Sequence, residues 1–313
     1  MEYYFDEIES IEEIGQFENE YVYDLEMNDS THTFIANDIL VHNSLFLSFK
    51  PLLNSCDWTG DPKDFILKLA ELRLNKYFIE KFDEYAKRFN TINIQNFELE
   101  KIARSALIIA KKKYILDLAW KDPGITFGPQ EKITFTGVEI RQSSTPRFAK
   151  KVLMDLVFYI FKEGKALNYA QVIKKLKDIK KEFCMQPTDD IAKAQSLGDY
   201  EKYVLDDRKQ ILLADKCPMN NRAAAIYNYS LFNSKYKSKY NSVKTGEKIK
   251  FYYAKNQYGI FGFQPGNFPY EFAPELDYDL QFEKIIIEPF NRFFEILGFN
   301  AIQSNLVYNI GLF

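Results

Sequence analysis

FELEKIARSALIIAKKKYILDLAW, residues 97–120, reads as two β-strands joined near the basic cluster Lys111–Lys113. A Pro-Gly turn follows at 123 and 124, and KITFTGVEI (132–140) reads as another strand. Both flanks carry helical periods instead. On the N-terminal side Phe65, Leu69, Leu72, Phe78, Phe82, Tyr85 and Phe89 recur at helical spacing across 63–89, with Pro62 suited to a helix start. On the C-terminal side Thr145 can cap a helix whose first residue is Pro146 and which Gly164 ends. Further helices are expected at about 168–183, 190–205 and 219–233, then a β-hairpin region from Lys248 to Phe263 and a last helix around 281–297. The fold class is α+β.

With 313 residues, 46% hydrophobic and 16% aromatic, the chain can bury a sizeable core and hold two or three domains, and disorder is not expected. Cys56, Cys184 and Cys217 are few, odd in number and widely separated, so they suggest neither a disulfide framework nor a clustered zinc site, and they fit a reducing compartment. The first residues are acidic where a signal peptide would be basic, and no uninterrupted apolar run approaches the roughly 18 residues that span a bilayer. A soluble, cytoplasmic protein with no membrane partner is the expectation.

The net charge of -3 conceals a division. Residues 1–43 hold 12 of the 44 acids and no Lys or Arg, so all 41 basic residues face the remaining 32 acids after residue 43, a net of +9. That surplus suits a polyanionic partner and equally suits a solvated surface of mixed charge. Both histidines, His32 and His42, lie in the acidic segment just before the sign changes. In that segment YVYDLEM (21–27) alternates like a strand, NDSTH reads as a turn, TFIAND (33–38) as a second strand and ILVHNSLFLSF (39–49) as a third. No Pro or Gly-Ser linker separates ILVHN from SLFLSF, which is odd for two independent domains.

At that junction stands His42-Asn43-Ser44. An Asn side-chain amide can attack its own backbone carbonyl, closing a succinimide and releasing the next residue. The reaction needs a donor to stabilise the developing oxyanion and a group to protonate the leaving nitrogen. His42 is placed for the first task, and the Ser44 hydroxyl can accept an acyl chain by transesterification. The whole stretch YVYDLEMNDSTHTFIANDILVHNS, residues 21–44, resembles the two C-terminal motifs of inteins. The resemblance implies that His32 helps activate Asn43, that Asp24 assists branch formation or resolution, and that 1–43 is a β-rich intein fragment completing a Hint-type fold with a partner. Thr33 and Asp38 depart from the usual Asn and Gly of those motifs without removing a reactive group. The other intein fragment is expected on a separate chain and is expected to be basic, to complement a net of -12. No cofactor is expected for splicing.

Residues 44–313 resemble the end of the palm (44–145) and the thumb (146–313) of family B DNA polymerases, particularly those of tailed phages. In that family a strand hairpin carries Asp-Thr-Asp-Ser, and SLFLSF, Ser44–Phe49, supplies the Ser and the strand after it. The resemblance implies a partial palm of antiparallel sheet plus helices and a largely helical thumb with a β-hairpin region. It puts the metal-binding aspartate at the end of the partner chain, which would carry the polymerase N-terminal half, and it makes Mg²⁺ and dNTP requirements of the ligated product alone. The unjoined chain would be inactive as a polymerase, in an infected host cell if phage-encoded. In FELEKI, Glu100, in preference to Glu98, resembles the palm glutamate near the metals; alternation on the solvent side of a strand explains the pair equally.

Lys111 to Tyr114 match the family's Lys-x-Tyr motif as Lys112 and Tyr114, at the primer-template, with Lys113 between them; a bare lysine run also suits a solvated face. GVEIRQSSTP resembles the palm-to-thumb segment, with Arg141, Ser143, Ser144 and Thr145 near the DNA backbone, and helix capping is compatible with the same residues. Arg222 and the lysines at 235, 237 and 239 are further thumb contacts no different in kind from surface charge. SNLVYNIGLF (304–313) is similar to tails that dock on a sliding clamp; a buried terminal strand is the alternative. The competing reading is a splicing-inactive palm-thumb fragment that assembles noncovalently with its partner or binds DNA.

Overall fold

The computed structural model describes residues 33–36, 39–42, 46–56, 58–93 and 98–308. They form a mixed α+β protein with antiparallel sheets, in two compact units: residues 1–102 with 120–125, and residues 103–119 with 126–313. Among the described residues no helix is long and apolar enough to cross a membrane.

In the first unit, β1 (Thr33–Ala36) and β2 (Ile39–His42) pair antiparallel, Thr33 opposite His42 and Ala36 opposite Ile39. The expected YVYDLEM strand and NDSTH turn lie outside the described residues, as do Asp24, His32, Asn43 and Ser44. The expected strand does not run on through SLFLSF. Residues 46–49 have no regular structure and lead into α1 (Lys50–Ser55). A strand needs a neighbour to satisfy its ladder, and Pro51 in the first turn favours a helix start. The helical period of 63–89 appears as α2 (Pro62–Leu69), a π-helical turn (Ala70–Leu74) and α3 (Asn75–Arg88), one after another. Asp61 caps the first of these, accepting from the Lys63 amide at 2.8 Å, with Pro62 at the first helical position.

The hairpin legible at 97–120 is β3 (Lys101–Ala110) and β4 (Lys113–Lys121), in a sheet of order β3-β4-β5 with β5 at Ile125–Thr126; β6 (Ile133–Thr136) also pairs with β4. Ile115 through Trp120 on β4 are all buried, so both faces of that strand are covered and, apart from Asp117, its sequence runs apolar without alternation. Arg104 crosses from β3, its guanidinium donating to the carbonyls of Leu118 at 2.7 Å, Gly128 at 3.1 Å and Phe127. The strand expected over 132–140 stops at Thr136. Gly137 turns the chain at φ +63°, and a 3-10 turn, Glu139–Arg141, follows.

The next helix, α4 (Arg147–Glu163), begins after Pro146 and closes at Gly164, φ +51°. Thr145 does not cap it. Its hydroxyl donates to the Glu139 carbonyl at 2.6 Å, which ties the helix entry to the 3-10 turn instead. α5 (Tyr169–Cys184) is capped by Asn168, which accepts from the Ala170 amide at 2.8 Å.

The helix expected at 190–205 is not formed. The chain makes α6 (Thr188–Ile191), β7 (Lys193–Ser196), α7 (Tyr200–Tyr203) and β8 (Val204–Asp206), because pairing with a strand more than fifty residues later overrides the local helical pattern. β9 (Leu212–Leu213) pairs with β8, and α8 (Met219–Phe232) follows. β10 (Lys248–Tyr253) and β11 (Ile260–Phe263) form the expected hairpin, giving a sheet of order β11-β10-β7. The last helix is α9 (Tyr278–Phe282), a π-helical turn (Glu283–Ile287) and α10 (Glu288–Phe294). Instead of a terminal strand there is α11 (Asn305–Tyr308), with Val307 buried; residues 309–313 of the tail lie outside the described residues.

One hydrophobic core runs from Leu107 to Val307. At its centre α8 lies on β11: Ala223, Ala224 and Ala225 are buried, and a Cβ on Gly262 would stand 2.5 Å from Ile249 Cδ1 and 2.7 Å from the Ala223 carbonyl oxygen. Two buried polar side chains then tie α9 to its neighbours, Gln281 to β10 and α6 and Lys180 to α5. Gln281 accepts from the Tyr253 amide at 2.9 Å and donates to the Ile191 carbonyl at 2.6 Å. Lys180 donates to the Tyr278 carbonyl at 2.6 Å, pairs with Asp279 at 2.7 Å, and stands 5.0 to 5.5 Å from the ring centres of Tyr308, Phe282 and Phe183. A buried ammonium is tolerable only with this degree of satisfaction.

Gly262→Ala is expected to destabilise the chain by about 1–3 kcal/mol, the usual cost of overpacking against backbone. The denaturant midpoint measures it, with the m-value unchanged.

Candidate nucleic-acid interface

The chain reverses between β3 and β4 over Lys111 and Lys112, and Lys112 takes the left-handed conformation at φ +61°. All three lysines, 111 to 113, are exposed at this turn and Tyr114 is half-buried just inside it. The register puts Tyr114 opposite Thr136 on β6. One residue on, Gly137 passes so close to the turn that a Cβ there would collide with the Lys112 carbonyl oxygen, besides standing 3.2 Å from Lys113 Cγ. Only glycine serves at this point, by space and by its φ of +63°. The lysine turn is therefore seated on the segment that leads to α4.

From Gly137 the path continues through residues expected to approach DNA. Arg141 is exposed and its guanidinium stands 6.0 Å from the Phe135 ring centre. Ser143 is exposed, Ser144 and Thr145 are half-buried, and the Ser144 carbonyl accepts from the Ala194 amide of β7 at 3.3 Å. The structure thus brings Lys111, Lys112, Lys113, Tyr114 and Arg141 to one end of one sheet, where cations and hydroxyls could follow a phosphate backbone.

Other expected residues stand apart. Glu100 precedes the first residue of β3 while the lysines follow its last, so ten strand residues separate them, and its carboxylate pairs with Lys101. Arg222, on α8, is exposed but donates to the Tyr258 carbonyl at 2.9 Å, beside the β10–β11 turn. Among Lys235, Lys237 and Lys239, the last pairs with Glu271, whose carboxyl the Lys239 ammonium and then the Tyr240 hydroxyl hold down at about 2. Among the described residues no three of His, Cys, Asp or Glu gather as a metal site would require. The acids described do not by themselves fit a divalent cation.

Two residues that sequence reading missed belong to the same sheet. Arg104 joins β3, β4 and residues 127–128, and buried Asp117 accepts from the Gln130 amide at 3.0 Å. An arginine and an aspartate inside otherwise apolar strand patterns were the available signals. No protein-family model and no curated protein matches the chain.

Gly137→Ala should destabilise by at least about 1–3 kcal/mol, combining backbone strain with collision, whereas Lys112→Gly should be neutral or stabilising because it removes a left-handed non-glycine residue. Chemical denaturation of the two variants tests the seating, and equal behaviour would contradict it.

Proposed function

We propose that this chain is the C-terminal half of a split family B DNA polymerase, carried behind the C-terminal fragment of an intein. Splicing in trans would join residues from Ser44 onward to a separate N-terminal half. The reading rests on the 24-residue stretch 21–44, in which every group needed for C-terminal cleavage stands in the order the chemistry requires. The β1–β2 pairing, with Thr33 opposite His42, is compatible with it. For the polymerase portion, support comes from the exposed lysine turn, Tyr114 inside it and Arg141 on the segment leading to α4.

In the proposed reaction the Ser44 hydroxyl takes the upstream chain from an ester or thioester on the partner's first intein residue, which leaves as the free alcohol or thiol; Asn43 then cyclises and breaks the Asn43–Ser44 peptide bond, with His42 stabilising the developing oxyanion and His32 activating the amide. An acyl shift then restores a peptide bond at Ser44. The aspartate that binds Mg²⁺ would arrive on the partner, with dNTP incorporated only by the ligated product. Mg²⁺ supplies charge neutralisation at the phosphates in such enzymes, and this chain's Glu100 would be one acid near it. The lysine turn would hold the primer-template backbone.

Mixing the chain with a polymerase N-terminal half that carries an intein start is expected to yield a ligated product by mass, lost in Asn43→Ala. Co-elution with unchanged masses would instead mark noncovalent assembly and sink splicing. In the ligated product, Lys112→Ala should lower the salt dependence of primer-template binding by a slope of about one, without altering sequence preference. Anisotropy titrations across salt concentration measure it.

A further inference from the structure

Behind the helix entry lies a cleft of about 160 Å³ between residues 139–146, β7 and the C-terminal helix. Three cations line it, Lys193, Lys284 and Arg292, together with two carboxylates, Glu139 and Glu288. The carboxylates are already engaged: Arg292 pairs with Glu139, and Lys284 with Glu288. Lys193 is left over. Among the described residues no carboxylate lies within ion-pair distance of it, and the surplus of one positive charge in the cleft belongs to its ammonium. Burial pushes that ammonium below the usual lysine range, against the pull of Glu139 and Glu288.

The neighbours of Lys193 suit an acceptor-rich ligand. β7 is an edge strand whose Ala194 amide is tied to the Ser144 carbonyl, which fixes Lys193 beside residues 142–146. Ser144 lines the cleft with a hydroxyl that has no partner among the described residues. A phosphate group has only acceptors, and it would satisfy an unpaired ammonium and a free hydroxyl together while the rim ion pairs keep the carboxylates from repelling it.

We propose that this cleft binds one backbone phosphate of a nucleic-acid strand, with Lys193 as its ligating cation and Ser144 as a second donor. The source is assigned to a strand and not to free phosphate because the cleft adjoins Arg141 and Ser143, on the segment seated against the lysine turn. The inference rests on the DNA-binding reading above and adds to it a contact well removed in sequence from the Lys-x-Tyr match.

The test uses the full chain. Acetic anhydride labelling, read by mass spectrometry at Lys193, should be suppressed by a primer-template duplex at phosphate concentrations where inorganic phosphate alone does not protect. Separately, Lys193→Met, shown to fold by its melting curve, should lower the slope of log affinity against log salt by about one. Duplex that binds while Lys193 labelling stays unchanged overturns this site and leaves the DNA-binding reading standing. Protection by inorganic phosphate but not by duplex overturns the assignment to a strand. A wild-type chain that binds no duplex at any salt overturns the DNA-binding reading, and this inference with it.

Discussion

The close approach of α8 to β11 is the contact on which the larger unit depends. Three consecutive alanines and one glycine let a helix backbone meet a strand without side chains between them. That closeness leaves the aromatic residues to fill the flanks: Tyr227 and Tyr252 each pack against Phe261, and Phe272 meets Tyr227, Tyr236 and Tyr240. Large rings around a small-residue seam divide the work of packing, because the seam fixes distance and the rings supply buried area. Buried amides do the rest, since Gln281 satisfies backbone groups of Tyr253 on β10 and Ile191 on α6, and Asn228 those of Val243 in the loop before β10.

The candidate interface inherits its geometry from a second close approach, that of Gly137 to the Lys112 carbonyl. Lysine turns are ordinarily mobile in their side chains, and what this one gains from the contact is a fixed backbone. The same segment then carries Arg141 and is tied by Thr145 to Glu139, and Glu139 in turn is paired with Arg292 on the last helix. The positive strip is thus held at the lysine turn by Gly137 and to α10 by the Glu139–Arg292 pair, and does not hang on a free loop.

How much of this was legible in the sequence varies with the range of the interactions. The helices with strong periods and clear punctuation, such as Tyr169–Cys184 after Asn168 and the helix closed by Gly164, were readable because local forces decide them. The β3–β4 hairpin was readable from two apolar runs around three lysines. Residues 190–205 were not, because Lys193–Ser196 becomes a strand only through partners near residue 250. Of SLFLSF, residues 46–49 carry the side chains of a strand and form none, since no described segment offers them a ladder. At the site, the exposed lysines and Arg141 could be named in advance. The cleft around Lys193 could not, because Lys193 stands more than ninety residues before Lys284 and Arg292 and only the fold reveals which of them lacks a counterion.

The pairing of β7 with β10 has a further meaning when the chain is made from its N-terminus. Lys193 stands fifty-eight positions before its partner Phe251. At a synthesis rate of roughly 5–20 residues per second, β7 waits on the order of 3–12 s before its neighbour exists. During that interval its edge, and the unpaired groups beside it, are open to other chains. The polar composition of Lys193-Ala-Gln-Ser, with no large apolar side chain, keeps this waiting strand a poor template for premature association in the translating cell.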